Sequence, residues 1–330
     1  MSKSYQVVGI GNALVDILSH VEDEFLSANG VEKGIMQLID ANRATELYAK
    51  MGPAKEISGG SAANTIAGIA ALGARTAYVG KVRNDQLGDI FAHDIRAQGA
   101  VYETPRAPAG EHETGRCMVL VSPDGERSMN TYLGVSEHLG PDDIDADMLS
   151  KTEWSYLEGY RFDGPQSHAA FAKANAACKG GGGRVSITLS DPFCVERHRN
   201  AFRTMIREDI DLLFANEHEM RSMYQTEDLD AAIKLAAAEV DIVACTVGAR
   251  GAYVAYEGNT VHAPATSVNI VDATGAGDLF AAGFLYGLTS GADMLTCGQM
   301  GCVAAGEVIS HIGARPEVDL LALFKENGLT

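Results

Sequence analysis

Basic residues are scarce in this 330-residue chain: 26 Lys and Arg stand against 44 Asp and Glu, for a formal charge of −18. General binding to nucleic acid or anionic lipid needs clustered cations, so neither is an expected partner. A phosphorylated small molecule remains open, because backbone amides and a metal supply the attraction locally. The six cysteines (117, 178, 194, 245, 297 and 302) form no CxxC and no zinc-like spacing with histidine, which reads as buried thiols in a reducing cytoplasm. The first residues, MSKSYQVVGIGN, hold no apolar signal core, and no apolar run approaches the ~18 residues of a membrane span. The expectation is a soluble, cytoplasmic protein. There is no GxxxxGK[ST], HRD or DFG string, and Gly9-Ile10-Gly11-Asn12-Ala13-Leu14 lacks the third glycine of a dinucleotide fingerprint. Internal repeats and low-complexity tracts are missing too.

What is present suits a globular α/β protein. With 46% hydrophobic residues the chain can bury a core. Apolar strands near 5–11, 76–80, 154–158, 185–190, 212–215 and 242–247 alternate with helical stretches near 61–72, 85–98, 166–178, 197–208 and 229–239. A short β stretch over AYVAYEGNTVHA and helices near 277–289 and 293–310 follow. This alternation predicts a doubly wound, mostly parallel sheet in an α/β/α sandwich. Two excursions, near 12–47 and 101–135, interrupt it, the second a hairpin around Pro123-Asp124-Gly125. They predict a small β-rich lid on a single domain spanning 1–330. Gly180–Gly183 follows a helix and precedes a strand, the wrong polarity for anion binding, so it reads as a turn.

Two glycine turns carry chemistry. In Asp272-Ala273-Thr274-Gly275-Ala276-Gly277-Asp278 the glycines open a helix whose first amides lack intrahelical partners, which suits a phosphate cradle. Asp278 in that first turn is placed to act as a general base toward an attacking hydroxyl. The positive helix end predicts a low pKa for it, tolerable because positioning and charge stabilisation dominate phosphoryl transfer. Gly59 and Gly60 open a second helix with Asn64 in its first turn; Asn12 and Asp16 follow the first strand, where ligands of open α/β sheets bind. A carboxylate there can accept two hydrogen bonds from a vicinal diol.

The strings GGSAANTIAGIAALG, YVGKVRNDQLGDIF and VDATGAGDLFAAGF together resemble the two sequence patterns of the ribokinase-like (phosphofructokinase-B) sugar and nucleoside kinases, and the likeness runs from residue 5 to about 318. The resemblance implies that Asp278 is the catalytic base, that Gly275, Ala276 and Gly277 form an anion hole, and that Asp16, Gly59, Gly60 and Asn64 hold the acceptor's hydroxyls. It implies ATP as donor with Mg²⁺ organised by Asn216 and Glu219, largely through water, and the TxGxxG loop (Thr246, Gly248, Gly251) and Thr274 along the nucleotide. Asp272 and Thr274 correspond to positions that bind a monovalent cation such as K⁺ in some members; the partner loop, SHIGARPE at 310–317, fits only in part. The opening Gly11-Asn12-Ala13-Leu14-Val15-Asp16-Ile17 is similar to that of adenosine kinases, where the Asn joins the Asp on the ribose. Arg127 in the hairpin is placed to steady phosphate or to face solvent. Gly159-Tyr160-Arg161 stands where those kinases bring an aromatic pair to the base: Tyr160 can stack, whereas Arg161 departs from the pattern. The leading expectation is phosphorylation of a nucleoside 5′-hydroxyl, adenosine first. The alternatives are a sugar kinase acting on ribose or a ketose, and a non-catalytic nucleoside sensor, against which the intact Asp278 and Gly-Ala-Gly turn argue. The expected state is a monomer or a homodimer paired through the lid's strand edge.

Overall fold

A computed structural model of the chain describes residues 3–110 and 112–330. Its first strand, β1 (Tyr5–Ile10), shows why the strands read as unbroken apolar runs. Val7 packs into one hydrophobic core, while Val8 and Ile10 pack into another on the opposite face. A strand buried on both faces has no polar side to display. Fourteen strands form two sheets among the described residues. In chain order they are β1, β2 (Leu14–His20), β3 (Met36–Leu38), β4 (Lys55–Gly59), β5 (Thr76–Val79), β6 (Val101–Tyr102), β7 (Gly115–Val121), β8 (Arg127–Tyr132), β9 (Thr152–Glu158), β10 (Arg184–Thr188), β11 (Leu212–Asn216), β12 (Ile242–Thr246), β13 (Ala252–Tyr256) and β14 (Asn259–Ala263).

The larger sheet runs β14-β13-β12-β11-β10-β9-β1-β5-β6. From β12 to β6 every pairing is parallel; the β13–β14 hairpin adds two antiparallel strands at one edge. Helices Ser61–Ala71, Ala276–Thr289 and Met294–Val308 cover one face, and Ser167–Gly180, Pro192–Asp209 and Leu229–Ala237 the other. The strand order reverses between β1 and β9, a switch point at whose carboxyl edge a crevice opens. The run Gly180–Gly183 closes a helix and leads into β10 as a turn.

The smaller sheet, β3-β8-β7-β2-β4, is assembled from both excursions and from one strand outside them. Lys55–Gly59, whose last residue reads with Gly60 as a turn, pairs antiparallel with β2, Leu14 opposite Gly59. Conversely Val101–Tyr102, at the start of the second excursion, belongs to the larger sheet. Small residues set the distance between the two helices that matter for function. A Cβ on Gly68 would lie 2.8 Å from Leu279 and 2.9 Å from Ala282. That close contact brings the start of Ser61–Ala71 beside the start of Ala276–Thr289.

Candidate active site

A cleft of about 670 Å³ lies between the carboxyl edge of the larger sheet and the smaller sheet. Its floor is the start of the helix Ala276–Thr289. Gly275 precedes that helix at φ +79°, and a Cβ there would meet the Ala314 Cβ at 2.7 Å, so the turn admits only glycine without strain. Nothing lies within 4 Å of a Cβ built on Gly277. The amides of Gly277 and Asp278 donate to no carbonyl among the described residues, whereas Leu279 resumes the helical pattern by donating to Gly275 O. Two free N–H groups at a helix start, beside open space, suit a phosphoryl oxygen.

The Asp278 carboxylate is held on both oxygens. Ser61 Oγ donates to Oδ1 at 2.6 Å and Asn64 Nδ2 to Oδ2 at 2.9 Å. The sequence expectation of a low pKa is corrected here. Burial pushes the carboxyl up to about 6, against the lowering pull of Ser61, Asn64 and Arg315. Desolvation outweighs the helix end, and the result is a better base than the helix alone would leave. Asp16 is likewise raised to about 6 by burial, with Arg315 and Arg127 lowering it and Asp278 raising it.

Gly59 and Gly60 make room for these groups. A Cβ on Gly59 would sit 2.3 Å from the Asp16 carboxyl, and one on Gly60 (φ +102°) 2.1 Å from Asn12 O. Asn12 is already committed: Nδ2 donates to Glu158 Oε1 at 2.9 Å, and Oδ1 accepts from Ser136 Oγ at 2.8 Å and Arg161 Nη1 at 3.1 Å. One N–H of its amide is left for a ligand.

Toward the other end of the cleft, Asn216 and Glu219 form a capping box at the start of the helix Glu217–Tyr224. Both Glu219 oxygens accept from Asn216, at 2.9 and 2.6 Å, and burial raises Glu219 to about 7. This all-oxygen pair suits a hard cation that keeps its waters, reached through the outer shell. Thr246 lines the cleft; Gly248 and Gly251 do not. They shape the β12–β13 turn, where Val247 N donates to Gly251 O at 2.8 Å.

The monovalent-cation reading of Asp272 and Thr274 does not fit. The buried Asp272 carboxylate is taken by the Arg127 guanidinium, by Thr274 N at 3.0 Å and by Gly313 N at 2.9 Å. A tethered cation occupies the carboxylate, and Arg127 is buried rather than facing solvent. Arg161 is buried too, donating to Ser136 O at 2.6 Å, Leu139 O at 3.0 Å and Ser167 Oγ at 2.9 Å. Its departure from the expected aromatic pair is a backbone brace, while Tyr160 lines the cleft.

Sequence reasoning missed three contributors. Ser61, at the first position of the helix Ser61–Ala71, holds Asp278 Oδ1. Glu158 is buried at the end of β9, raised to about 7, and accepts from Ala62 N at 2.8 Å. Arg315 donates to Ala63 O at 2.7 Å and to Ser58 O and Oγ at 3.1 Å. The partial likeness of its loop was the one signal available.

Residues 34–320 match the pfkB family of carbohydrate kinases. A probable sugar kinase from Rhizobium etli superposes with a TM-score of 0.94 at 47% identity, over 99% of this chain and 100% of that one. The adenosine kinase of Sinorhizobium meliloti superposes with a TM-score of 0.93 at 46% identity, over 98% and 99%. A fructokinase from Escherichia coli is 30% identical over 237 residues, 70% of this chain and 77% of its own. With its glycine turn open to a cleft at the sheet's switch point, the chain belongs to the pfkB family of carbohydrate kinases, phosphotransferases that act on an alcohol group.

Proposed function

We propose that this kinase transfers the γ-phosphoryl group of ATP to the 5′-hydroxyl of a nucleoside, with adenosine the preferred acceptor. The observation that carries the transfer is the Asp278 carboxylate, fixed by Ser61 and Asn64 beside the free amides of its own helix start. At neutral pH a carboxyl of pKa about 6 is mostly ionised. It accepts the hydroxyl proton as the oxygen attacks phosphorus, and the Gly275–Gly277 turn takes the charge on the migrating phosphoryl group.

The choice of a nucleoside rests on the sheet surface that Asp16 shares, where it stands beside Cys117. Met36, Leu38, Cys117, Met129 and Leu133 of the smaller sheet and its connections line the same cleft. A polyol offers nothing to so apolar a surface; a purine buries one face against it while its ribose diol reaches Asp16. Gly59 and Gly60 keep Asp16 and Asn12 in place, and the nucleotide donor lies toward Asn216 and Thr246. Mg²⁺ carried with ATP offsets phosphate charge, and Asn216 and Glu219 would hold it through water. The smaller sheet acts as a lid that excludes water from the transfer.

An ADP-release assay over nucleosides and sugars tests the reading. It should give adenosine the highest kcat/KM. Turnover confined to ribose or a ketose would identify a sugar kinase, and tight adenosine binding without turnover a sensor.

A further inference from the structure

Two histidines that the kinase chemistry leaves unused meet at the junction between the sheets. His112 lies on the connection leading into the smaller sheet ahead of β7; Glu137 and His138 lie on the single helical turn Gly134–His138 that leads out of it after β8. The two backbones are pressed together. Val135 N donates to Glu113 O at 2.8 Å, and Gly134, at φ +54°, would drive a Cβ to within 2.2 Å of that same oxygen. The imidazoles sit with centroids 4.4 Å apart, tilted by 39°. One donor atom from each of the three side chains lies within 4.8 Å of the other two. His138 Nε2 is 3.4 Å from Glu137 Oε1, shielded from water and without a hydrogen-bond partner.

From this geometry we infer that His112, Glu137 and His138 form a binding site for a divalent transition metal of the zinc class. Two imidazole nitrogens and one carboxylate oxygen favour zinc, cobalt or nickel over the hard cations that accompany ATP. With bonds of about 2.0–2.1 Å, tetrahedral donors stand roughly 3.3 Å apart, which small side-chain rotations reach from here. The fourth position is left to water. The site has a rigid base, because Arg161 donates to the carbonyls of Ser136, Glu137 and Leu139 and fixes the turn that presents two of the ligands. The ion would tie the incoming and outgoing connections of the smaller sheet together, one residue from Ser136, which donates to Asn12 in the cleft.

The test uses untagged, nucleotide-free protein titrated with Co²⁺, read by its ligand-field absorption, and with Zn²⁺, read by calorimetry. One equivalent should bind, and His112→Ala and His138→Ala should each weaken binding by about tenfold or more. His168→Ala, an exposed histidine elsewhere, should change nothing. Zinc-edge anomalous diffraction should place the ion among the three side chains, independently of the variants. Failure to bind, binding that survives both substitutions, or an anomalous peak elsewhere overturns the site.

Discussion

Asp16 and Asp278 share one cation. The Arg315 guanidinium is pinned to Ala63 and Ser58 and lowers both carboxyls while burial raises them, and burial draws its own pKa down to about 10. Replacing Arg315 with Met removes that opposition, so the acid limb of the kcat/KM profile, expected near pH 6 for wild type, should move upward; Lys should hold it closer to wild type. An unmoved limb in the Met variant would remove Arg315 from the electrostatics of the site. Activity and stability should also diverge with pH. Asp16 and Asp278 near 6, and Glu158 and Glu219 near 7, bind protons more tightly folded than unfolded. Their contribution to stability therefore rises as pH falls from about 7 toward about 4, while Asp278, the proposed base, is being protonated. Carboxyls held low, such as Asp124 at about 2, lose their contribution only below that window. Denaturant unfolding at pH 7.5 and 5.5 should show the protein more stable at the lower pH; the reverse order would contradict these assignments. Asp278 could be read from the sequence because its glycines stand beside it. Arg315 and Glu158 could not, since each acts across a fold-dependent contact, and the partial likeness of the 310–317 loop carried no sign of the contacts Arg315 makes.

The glycine turn separates stability from catalysis at the level of an element. Gly275 sits at positive φ against Ala314, so Gly275→Ala should lower the melting temperature, with a cost on the order of 1–3 kcal/mol from backbone strain and overlap. Gly277 has ordinary φ and open space, so Gly277→Ala should melt like wild type yet lose turnover, its methyl group standing where the phosphoryl oxygen approaches. A fully active Gly277→Ala variant would show that the turn does not receive the phosphoryl group. The parallel strands and their helices were legible because both-face burial leaves unbroken apolar runs between helical periods. The strand Lys55–Gly59 was not: its residues carry no strand pattern, and only the pairing with β2 defines it.

Across the whole molecule, Arg127 on the smaller sheet and Asp272 ahead of the Gly275–Gly277 turn form a buried ion pair that joins the two sides of the cleft. With the Asp272 carboxylate filled by a guanidinium and two amides, exchanging K⁺ for Na⁺ at constant ionic strength should leave kcat unchanged. Several-fold activation by K⁺ would mean that Arg127 leaves Asp272 during turnover. The sequence signalled a partial misfit through the 310–317 loop, but the pair itself joins residues that only the folded smaller sheet brings together. Arg161 teaches the same lesson in reverse. It looked like a defect in the base-binding pattern, and the fold uses it to brace the turn that orients Asn12.

In the proposed reaction Asp278 takes the proton of the attacking alcohol. Asp278→Asn keeps the shape of the side chain and removes the base, so the steady-state kinetics of the purified variant with adenosine and ATP decide the matter. The expected result is a kcat lowered by about 10²–10⁴-fold with the acceptor KM near wild type. Near-wild-type turnover would contradict it.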